Sequence, residues 1–472
     1  MSQIPASLMT RLQQAKQTHL VGWFSELTED AQSGLLQQLS DIDFVAVHRM
    51  WQESVSENSA SSEGIDRAET AAAPRHVVRQ PITEQDHQRW AEAANAGNQL
   101  LSAGKVAVVT VAGGQGTRLG FEHPKGMFPV GPVTDRTLFQ IFAEQIRARQ
   151  SRHQATILWM IMTSDATHRE TVDYFRRSEW FGLSPENVCF FQQGSLPAVD
   201  ARTGQILMSD CGTLCLSPDG HGGLIAAMQK SGLLQRLIDS GVEHVFYHQV
   251  DNPTVVMCNP ALLGFHLLHQ SQVTTSVVEK VSPTERMGVL VSLGDRTEII
   301  EYSELTPEQA ARKDRSGQWI FWAGNTAVHV FSVDFLCRLT QDGGLLPLHV
   351  ARKNVPHLNE SGILITPTDS SKPNGIKFER FIFDSLPLAD RTLIVEGNRA
   401  DEFNPVKNRD GADSPVTAAA ALSRLAQKWL RAAGVPVDDH DIVEISPLQG
   451  LDAQDVAERI QRGEHPEICR RK

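Results

Sequence analysis

At 472 residues the chain is longer than one compact core usually organises, which points to one large α/β catalytic domain with smaller appendages. A formal net charge of -12 argues against a surface for nucleic acid or an anionic membrane, because both draw on clustered Lys and Arg. Any phosphate this protein holds must therefore be gripped locally.

Residues 1–21 mix Arg11, Lys16 and several Gln with apolar residues, so they lack the unbroken apolar stretch of a secretory signal. No window approaches a membrane span. The cysteines Cys189, Cys211, Cys215, Cys258, Cys337 and Cys469 are scattered, and Cys211 and Cys215 have neither C-x-x-C spacing nor a second pair to complete a zinc site. Reduced structural thiols in a cytoplasmic protein are expected. Residues 5–50 carry apolar positions at helical spacing, as in Leu35, Leu36, Leu39 and Ile42, and predict a helical region. Glu53 to Pro74, rich in Ser, Glu and Ala, predicts a linker or mobile loop.

From Lys105 the pattern changes. Val106 to Ala112 is a continuous β-branched apolar run, followed by a glycine cluster and by Thr137 to Arg149 at helical spacing. The same strand-to-helix grammar returns at Thr156 to Thr163 with Ala166 to Arg177, and at His244 to Val250 after a predicted helix over Gly223 to Ser240. A doubly wound, mostly parallel sheet follows. Past Gly434 a strand over Ile442 to Ile445 and a helix over Ala453 to Arg462 predict a small C-terminal domain. The expected divisions are a helical region over 1–100 with a linker over 53–83, a catalytic domain over 101–434, and a C-terminal domain over 435–472.

The densest chemical signal is Ala112-Gly113-Gly114-Gln115-Gly116-Thr117-Arg118-Leu119-Gly120, continued by Pro124-Lys125-Gly126. Glycines after a buried strand let the backbone approach a polyphosphate, and successive N–H groups there line an anion-binding concavity. There is no Gly-Lys-Ser/Thr ending, so this is not a Walker A loop, and Leu119 stands where the dinucleotide fingerprint wants its third Gly. Two cations, Arg118 and Lys125, remain in a loop suited to phosphate. Asp251 closes the run His244 to Val250, where open α/β sheets place ligands; it either caps the next element ahead of Pro253 or holds a metal. Gln192 and Gln193 read as loop polars, Gly288 as turn punctuation, Glu301 as a strand-edge acid, Asn325 as a turn former and Lys377 as a solvated strand lysine, unless a ligand gathers them.

Gly113 to Lys125 resembles the G-G-x-G-T-R-L-x-x-x-x-P-K signature of sugar nucleotide pyrophosphorylases. The longer string is similar to the eukaryotic-type UDP-N-acetylglucosamine pyrophosphorylases of the UDPGP type 1 family. The likeness continues in order through Thr137-Leu138-Phe139-Gln140, Phe190 to Gly194, Pro218 to Gly223, Val250-Asp251-Asn252 and Glu301 to Glu304. It runs on through Ala323-Gly324-Asn325, Lys372 to Lys377, Asp401-Glu402-Phe403 and Lys407-Asn408. The resemblance implies a nucleotide-diphospho-sugar transferase (GT-A, Rossmann-like) fold and uridylyl transfer from UTP to a sugar 1-phosphate, most closely N-acetylglucosamine 1-phosphate. The products would be a UDP-sugar and pyrophosphate.

By the same resemblance Arg118 and Lys125 hold the UTP phosphates, and Lys407 reaches them from the far side of the cleft. Ala112, Gly113, Gly114, Gln193, Gly220 and His221 bind the nucleotide, with Gln193 reading uracil. Gly288, Glu301, Asn325 and Lys377 lie near the sugar and its phosphate, and Asp251 holds Mg²⁺ or Mn²⁺. Where the N-acetylglucosamine enzymes carry Asn this chain has His221, similar to the Gly-His-Gly loops of UDP-glucose pyrophosphorylases. A UDP-glucose or broad UDP-sugar pyrophosphorylase is therefore the alternative, and a catalytically silent nucleotide-sugar binding module is the alternative of another class. No nucleic-acid or membrane partner is expected, and the protein should be a monomer or a weak homo-oligomer.

Overall fold

The computed structural model describes residues 3–56, 67–341, 346–369, 371–464 and 468–471. The chain divides into two compact units. The larger comprises residues 68–192, 225–344 and 385–472; the smaller comprises residues 1–67, 193–224 and 345–384.

The larger unit is built on a ten-stranded sheet among the described residues. Its main path runs Val77–Val78, Thr392–Glu396, Val273–Glu279, Ala323–Ser332, His244–Gln249, Val106–Val111, Trp159–Thr163 and Val188–Gln192. Every neighbouring pair on this path is parallel except those made by Ala323–Ser332, which runs antiparallel between His244–Gln249 and Val273–Glu279. The central strands are buried almost throughout because both faces are covered, as parallel sheets require. The helix Leu138–His153 starts at the Thr137 cap, and its Phe139 and Phe142 pack with Trp159, Phe175 and Phe246. The helices Glu84–Ser102 and Pro260–Leu268 touch backbone to backbone, since a Cβ on Gly97 would fall 1.9 Å from the Pro260 carbonyl oxygen and one on Gly264 1.6 Å from that of Ala93.

The C-terminal residues belong to the larger unit. Ile442–Ile445 pairs with Ile468–Arg471, and Val443, Leu430 of the helix Pro415–Ala432 and Val456 of the helix Ala453–Gln461 share a core. Glu444 accepts from the Val133 and Thr134 amides, each at 2.8 Å, and pairs with Arg136 at 3.0 Å.

In the smaller unit the helices Ala6–Gln14, Glu29–Ser40 and Phe44–Ser56 bury Leu12, Leu35, Leu39 and Val47 against Val199, Ile376 and Phe378. A three-stranded sheet orders His349–Lys353, Gly375–Glu379 and Val199–Asp200.

Two local expectations change. Glu53 to Ser56 is the last turn of a helix rather than linker, because Val47 and Met50 before it anchor that helix in the core. Residues 57–66 of the expected linker lie outside the described residues. The helix expected over Gly223 to Ser240 is two, Leu224–Lys230 and Leu233–Asp239, because Gly232 takes φ 73° and turns the chain between them. No helix of the described residues is long and apolar enough to cross a membrane.

Candidate active site

Val106–Val111 ends at Ala112, whose amide still donates to Met162 O at 2.7 Å, and the chain then leaves the sheet. The Ser164 hydroxyl donates to Gly113 O at 2.8 Å, fixing the start of the loop to the neighbouring strand end. Lys125 N donates to Gly114 O at 3.1 Å, and Gln115 bridges Pro124, so residues 115–124 close on themselves like a small hairpin. Inside it Thr117–Leu119 makes one 3-10 turn, Gly120 takes φ 72°, and buried Leu119 anchors the loop. Arg118 is exposed and has no ion-pair partner among the described residues. A Cβ on Gly114 would meet no protein atom within 4 Å, so the loop's backbone is bare on that side.

The next strand over, His244–Gln249, delivers Asp251 to the same sheet edge: Val250 N donates to Val111 O at 3.0 Å. Lys125 Nζ lies 3.4 Å from Asp251 Oδ2, and both side chains are only 17% exposed, which places one cation and one anion in a sparsely hydrated spot. Asp251 O accepts from Val406 N at 2.7 Å, and this bond carries the Lys407 segment to the sheet edge. Lys407 Nζ sits 5.7 Å from the centre of the Phe403 ring, which packs with Val278 and Met287. Among the described residues no three His, Cys, Asp or Glu side chains converge as a closed metal cage. A hard divalent cation suits what is present, because Mg²⁺ commonly takes one or two carboxylates and completes its shell with substrate phosphates and water.

Three of the four residues expected near the sugar, Gly288, Glu301 and Asn325, come together. Asn325 N donates to Gly288 O at 2.9 Å, and a Cβ on Gly288 would fall 2.7 Å from Glu301 Oε1, so that carboxylate lies against the glycine. The strand shifts register between Ser276 and Val277, and Ala327 takes φ 57° beside it. Asn325 Oδ1 accepts from the Ala327 amide at 2.9 Å and holds that bulge. Because Ala323–Ser332 is antiparallel to His244–Gln249, with Tyr247 opposite His329, its start lies at the Asp251 end of the sheet.

The smaller unit holds Gln193, Gly220, His221 and Lys377. Asp219 N donates to Gly194 O at 2.9 Å, joining the segment after Gln193 to the glycine loop. Gly220, at φ 84°, lies so close to Arg380 that a Cβ would fall 2.4 Å from its carbonyl oxygen, and Gly222 N donates to that oxygen at 2.8 Å. The Ile382 amide donates to His221 Nδ1 at 3.1 Å. Burial, aided by neighbouring His349, pushes the His221 imidazole down to about 4, so near neutrality its proton resides on Nε2. Asp219 is 8% exposed and its Oδ1 has no hydrogen-bond partner; burial pushes its carboxyl up to about 6 against the pull of Arg380. Lys377 pairs in register with Ala351 and is half-buried.

Sequence reasoning passed over two residues that assemble this site. Asn252 donates through Nδ2 to Glu402 O at 2.7 Å and accepts from Asn404 N at 3.1 Å, tying the Asp251 turn to the Lys407 segment. Ser164 holds Gly113. Their only sequence signal is a polar residue just past an apolar strand, which also marks ordinary caps.

The pattern defining the UTP–glucose-1-phosphate uridylyltransferase family (UDPGP) matches residues 46–421. The UDP-N-acetylglucosamine pyrophosphorylase of Saccharomyces cerevisiae is 37% identical over 374 residues, covering 77% of each chain. The human UDP-N-acetylhexosamine pyrophosphorylase-like protein 1 is 36% identical over 444 residues, 91% of this chain and 86% of its own. The crystal structure of the uridine diphosphate N-acetylglucosamine pyrophosphorylase from Trypanosoma brucei, in complex with inhibitor, superposes with a TM-score of 0.83 at 26% identity, over 98% of this chain and 96% of that one. With a cation-bearing glycine loop at the strand ends and a family match over most of its length, this chain belongs to the UTP–glucose-1-phosphate uridylyltransferase family.

Proposed function

We propose that this protein is a uridylyltransferase that converts UTP and N-acetylglucosamine 1-phosphate to UDP-N-acetylglucosamine and pyrophosphate. The carrying observation is the meeting, at one sheet edge, of the glycine loop open at Gly114, the Lys125–Asp251 pair at 3.4 Å and the Lys407 segment bonded to Asp251 O. A phosphate oxygen of the sugar phosphate attacks the α-phosphorus of UTP. The new P–O bond forms as the bond to the bridging oxygen breaks, and pyrophosphate leaves with that electron pair. A sugar phosphate is already ionised near neutrality, so the protein's task is to hold two anions in line and neutralise charge. Arg118 and Lys125 take the UTP phosphates and stabilise the leaving pyrophosphate, and Lys407 reaches the phosphates from the far side of the cleft. A divalent cation, Mg²⁺ or Mn²⁺, would sit at Asp251 and supply further neutralisation.

Gln193 takes the uracil, Gly220 and His221 lie against the nucleotide, and Gly288, Glu301, Asn325 and Lys377 take the sugar and its phosphate; family resemblance supports these roles. The convergence of Gly288, Glu301 and Asn325 agrees with a polar sugar pocket. His221 favours a second reading, a UDP-glucose or broad UDP-sugar enzyme, because a neutral Nε2–H donor stands where the N-acetylglucosamine enzymes have Asn. We place the protein in the cytoplasm, as a monomer or weak homo-oligomer; six cysteines without a disulfide agree with a reducing compartment.

The test is pyrophosphate release with UTP and the 1-phosphates of N-acetylglucosamine, N-acetylgalactosamine, glucose and galactose. Preference for N-acetylglucosamine 1-phosphate is expected. Preference for glucose 1-phosphate selects the second reading, and no release with any of them leaves only a binding module.

A further inference from the structure

The helix Pro415–Ala432, the strand Ile442–Ile445 and the loop after it do not close fully against the helix Leu138–His153 and the turn that follows Asp251. Between them lies a cavity of about 670 Å³, within the size range of small-molecule sites. Ile141, Val255, Leu422, Trp429 and Leu451 give it an apolar lining. Folded interiors normally close such gaps. Here polar bonds fix the walls: Arg136 pairs with Glu144 and Glu444, each at 3.0 Å, and Ser446 Oγ donates to Glu144 Oε2 at 2.6 Å. Gln145 Oε1 accepts from Met257 N at 3.0 Å.

The polar atoms left over define the ligand. Both carboxylates are saturated with donors, since Glu444 also takes the Val133 and Thr134 amides, and Glu144 also takes Gln140 Nε2. Among the described residues, Arg136 Nη2 and Gln145 Nε2 have no hydrogen-bond partner, and both residues line the cavity. An occupant therefore has to bring an acceptor. Arg136 already faces two carboxylates, so an anionic acceptor is repelled and a neutral carbonyl oxygen fits.

One wall of the cavity is the chain leaving Asp251. Thr254, 4% exposed, lines it, and its hydroxyl donates to Asn252 Oδ1 and accepts from Asn404 Nδ2, both at 3.1 Å. Asn252 and Asn404 are the residues whose mutual bond ties the Asp251 turn to the segment carrying Lys407.

We infer that this cavity is a second ligand site, distinct from the glycine loop and Asp251, for a small molecule with one apolar ring and an uncharged carbonyl acceptor, and that Thr254 couples its occupancy to the Asp251 turn. The site goes beyond the proposed function, and only the coupling rests on it. Such coupling is reciprocal: the factor by which the ligand changes UTP affinity is the factor by which UTP changes the ligand's.

The probe is N-benzylacetamide, and phenylacetate is its anionic counterpart. Saturation-transfer NMR on the full chain should show the ring of N-benzylacetamide in contact with the protein, with a signal about fivefold weaker for phenylacetate. Leu422→Trp and Val256→Phe fill the cavity from two walls, and each, once its melting curve shows it folded, should abolish that signal. No signal from wild type, equal signals from the two probes, or a signal that survives in a folded filling variant overturns the site. Saturating UTP with Mg²⁺ should change the Kd of N-benzylacetamide about fivefold. Thr254→Val keeps the wall and removes the hydroxyl, so it should retain binding and bring that ratio to one. An unchanged Kd in wild type, or the same ratio in Thr254→Val, overturns the coupling. If UTP itself gives no saturation-transfer signal, the proposed function fails and the coupling with it, while the two probes still decide the site.

Discussion

One substitution made at two glycines of the same segment should impair catalysis at both and lower stability at only one. At Gly126 an added Cβ would lie 2.1 Å from Phe139 Cε2 and 2.2 Å from Cζ, and the ring cannot yield, because Phe139 is fully buried edge-on to Trp159 and Phe175. Overpacking of this kind costs about 1–3 kcal/mol, so Gly126→Ala should destabilise the protein by about 2 kcal/mol. Gly126 follows Lys125 directly, so the same shift moves the ammonium from Asp251, and a displacement of ~1 Å in a positioned group costs on the order of 10²-fold in rate. At Gly114 an added Cβ meets nothing within 4 Å and the backbone is not left-handed, so Gly114→Ala should leave stability unchanged or raise it by about 0.4–1 kcal/mol through the unfolded chain. Under the proposed function its methyl group takes the space of a UTP phosphate, however, and kcat/KM for UTP should fall on the order of 10²-fold, the scale of losing oriented donors. Denaturant melts and steady-state kinetics on both variants decide the matter. Wild-type kcat/KM in Gly114→Ala would refute the phosphate cradle, and a wild-type midpoint in Gly126→Ala would refute the packing.

Arg118→Ala and Lys407→Ala should each cut kcat by about 10²-fold, as the loss of one preorganised charge donor does, and steady-state kinetics with kcat unchanged in both would defeat the charge-stabilisation mechanism. Asp251→Asn should lower the rate and weaken its dependence on Mg²⁺; an unaltered metal titration removes Asp251 from that role. Asp219 offers a pH test. Its folded-state value, about 6, lies above the ordinary 3.8, so the folded state binds the proton more tightly and this group's contribution to stability falls as pH rises from about 4 to about 6. At about 1.4 kcal/mol per pH unit the penalty reaches on the order of 3 kcal/mol above pH 6. Asp219→Asn cannot ionise, so its stability relative to wild type should be greater at pH 8 than at pH 4.5; equal differences at both pH values in denaturant melts would contradict the buried carboxylate.

Much of the site's chemistry was legible in the linear chain because it rests on local patterns. The apolar run Val106 to Ala112 with four glycines after it marks a buried strand that ends in a flexible loop, since an unbroken apolar run and a glycine cluster are properties of neighbouring residues. Eliminating the Walker and dinucleotide spacings needed only residue order. The helices of residues 5–50 were legible for the same reason. The sequence alone also marked Lys125 and Asp251 as separate candidates, 126 residues apart.

Only the tertiary structure brought those two to 3.4 Å, because the parallel pairing of Val106–Val111 with His244–Gln249 sets both strand ends at one edge. It likewise decided that Gly288, Glu301 and Asn325 converge, which depends on the antiparallel strands Val289–Leu293, Arg296–Ile300 and Ala323–Ser332 pairing beside one another. The role of Asn252 was not readable, since what distinguishes it is a bond across 150 residues. Nor did local pattern show that the N-terminal helices share a core with residues 193–224 and 345–384, because apolar periodicity names the face that is buried and not the partner that buries it.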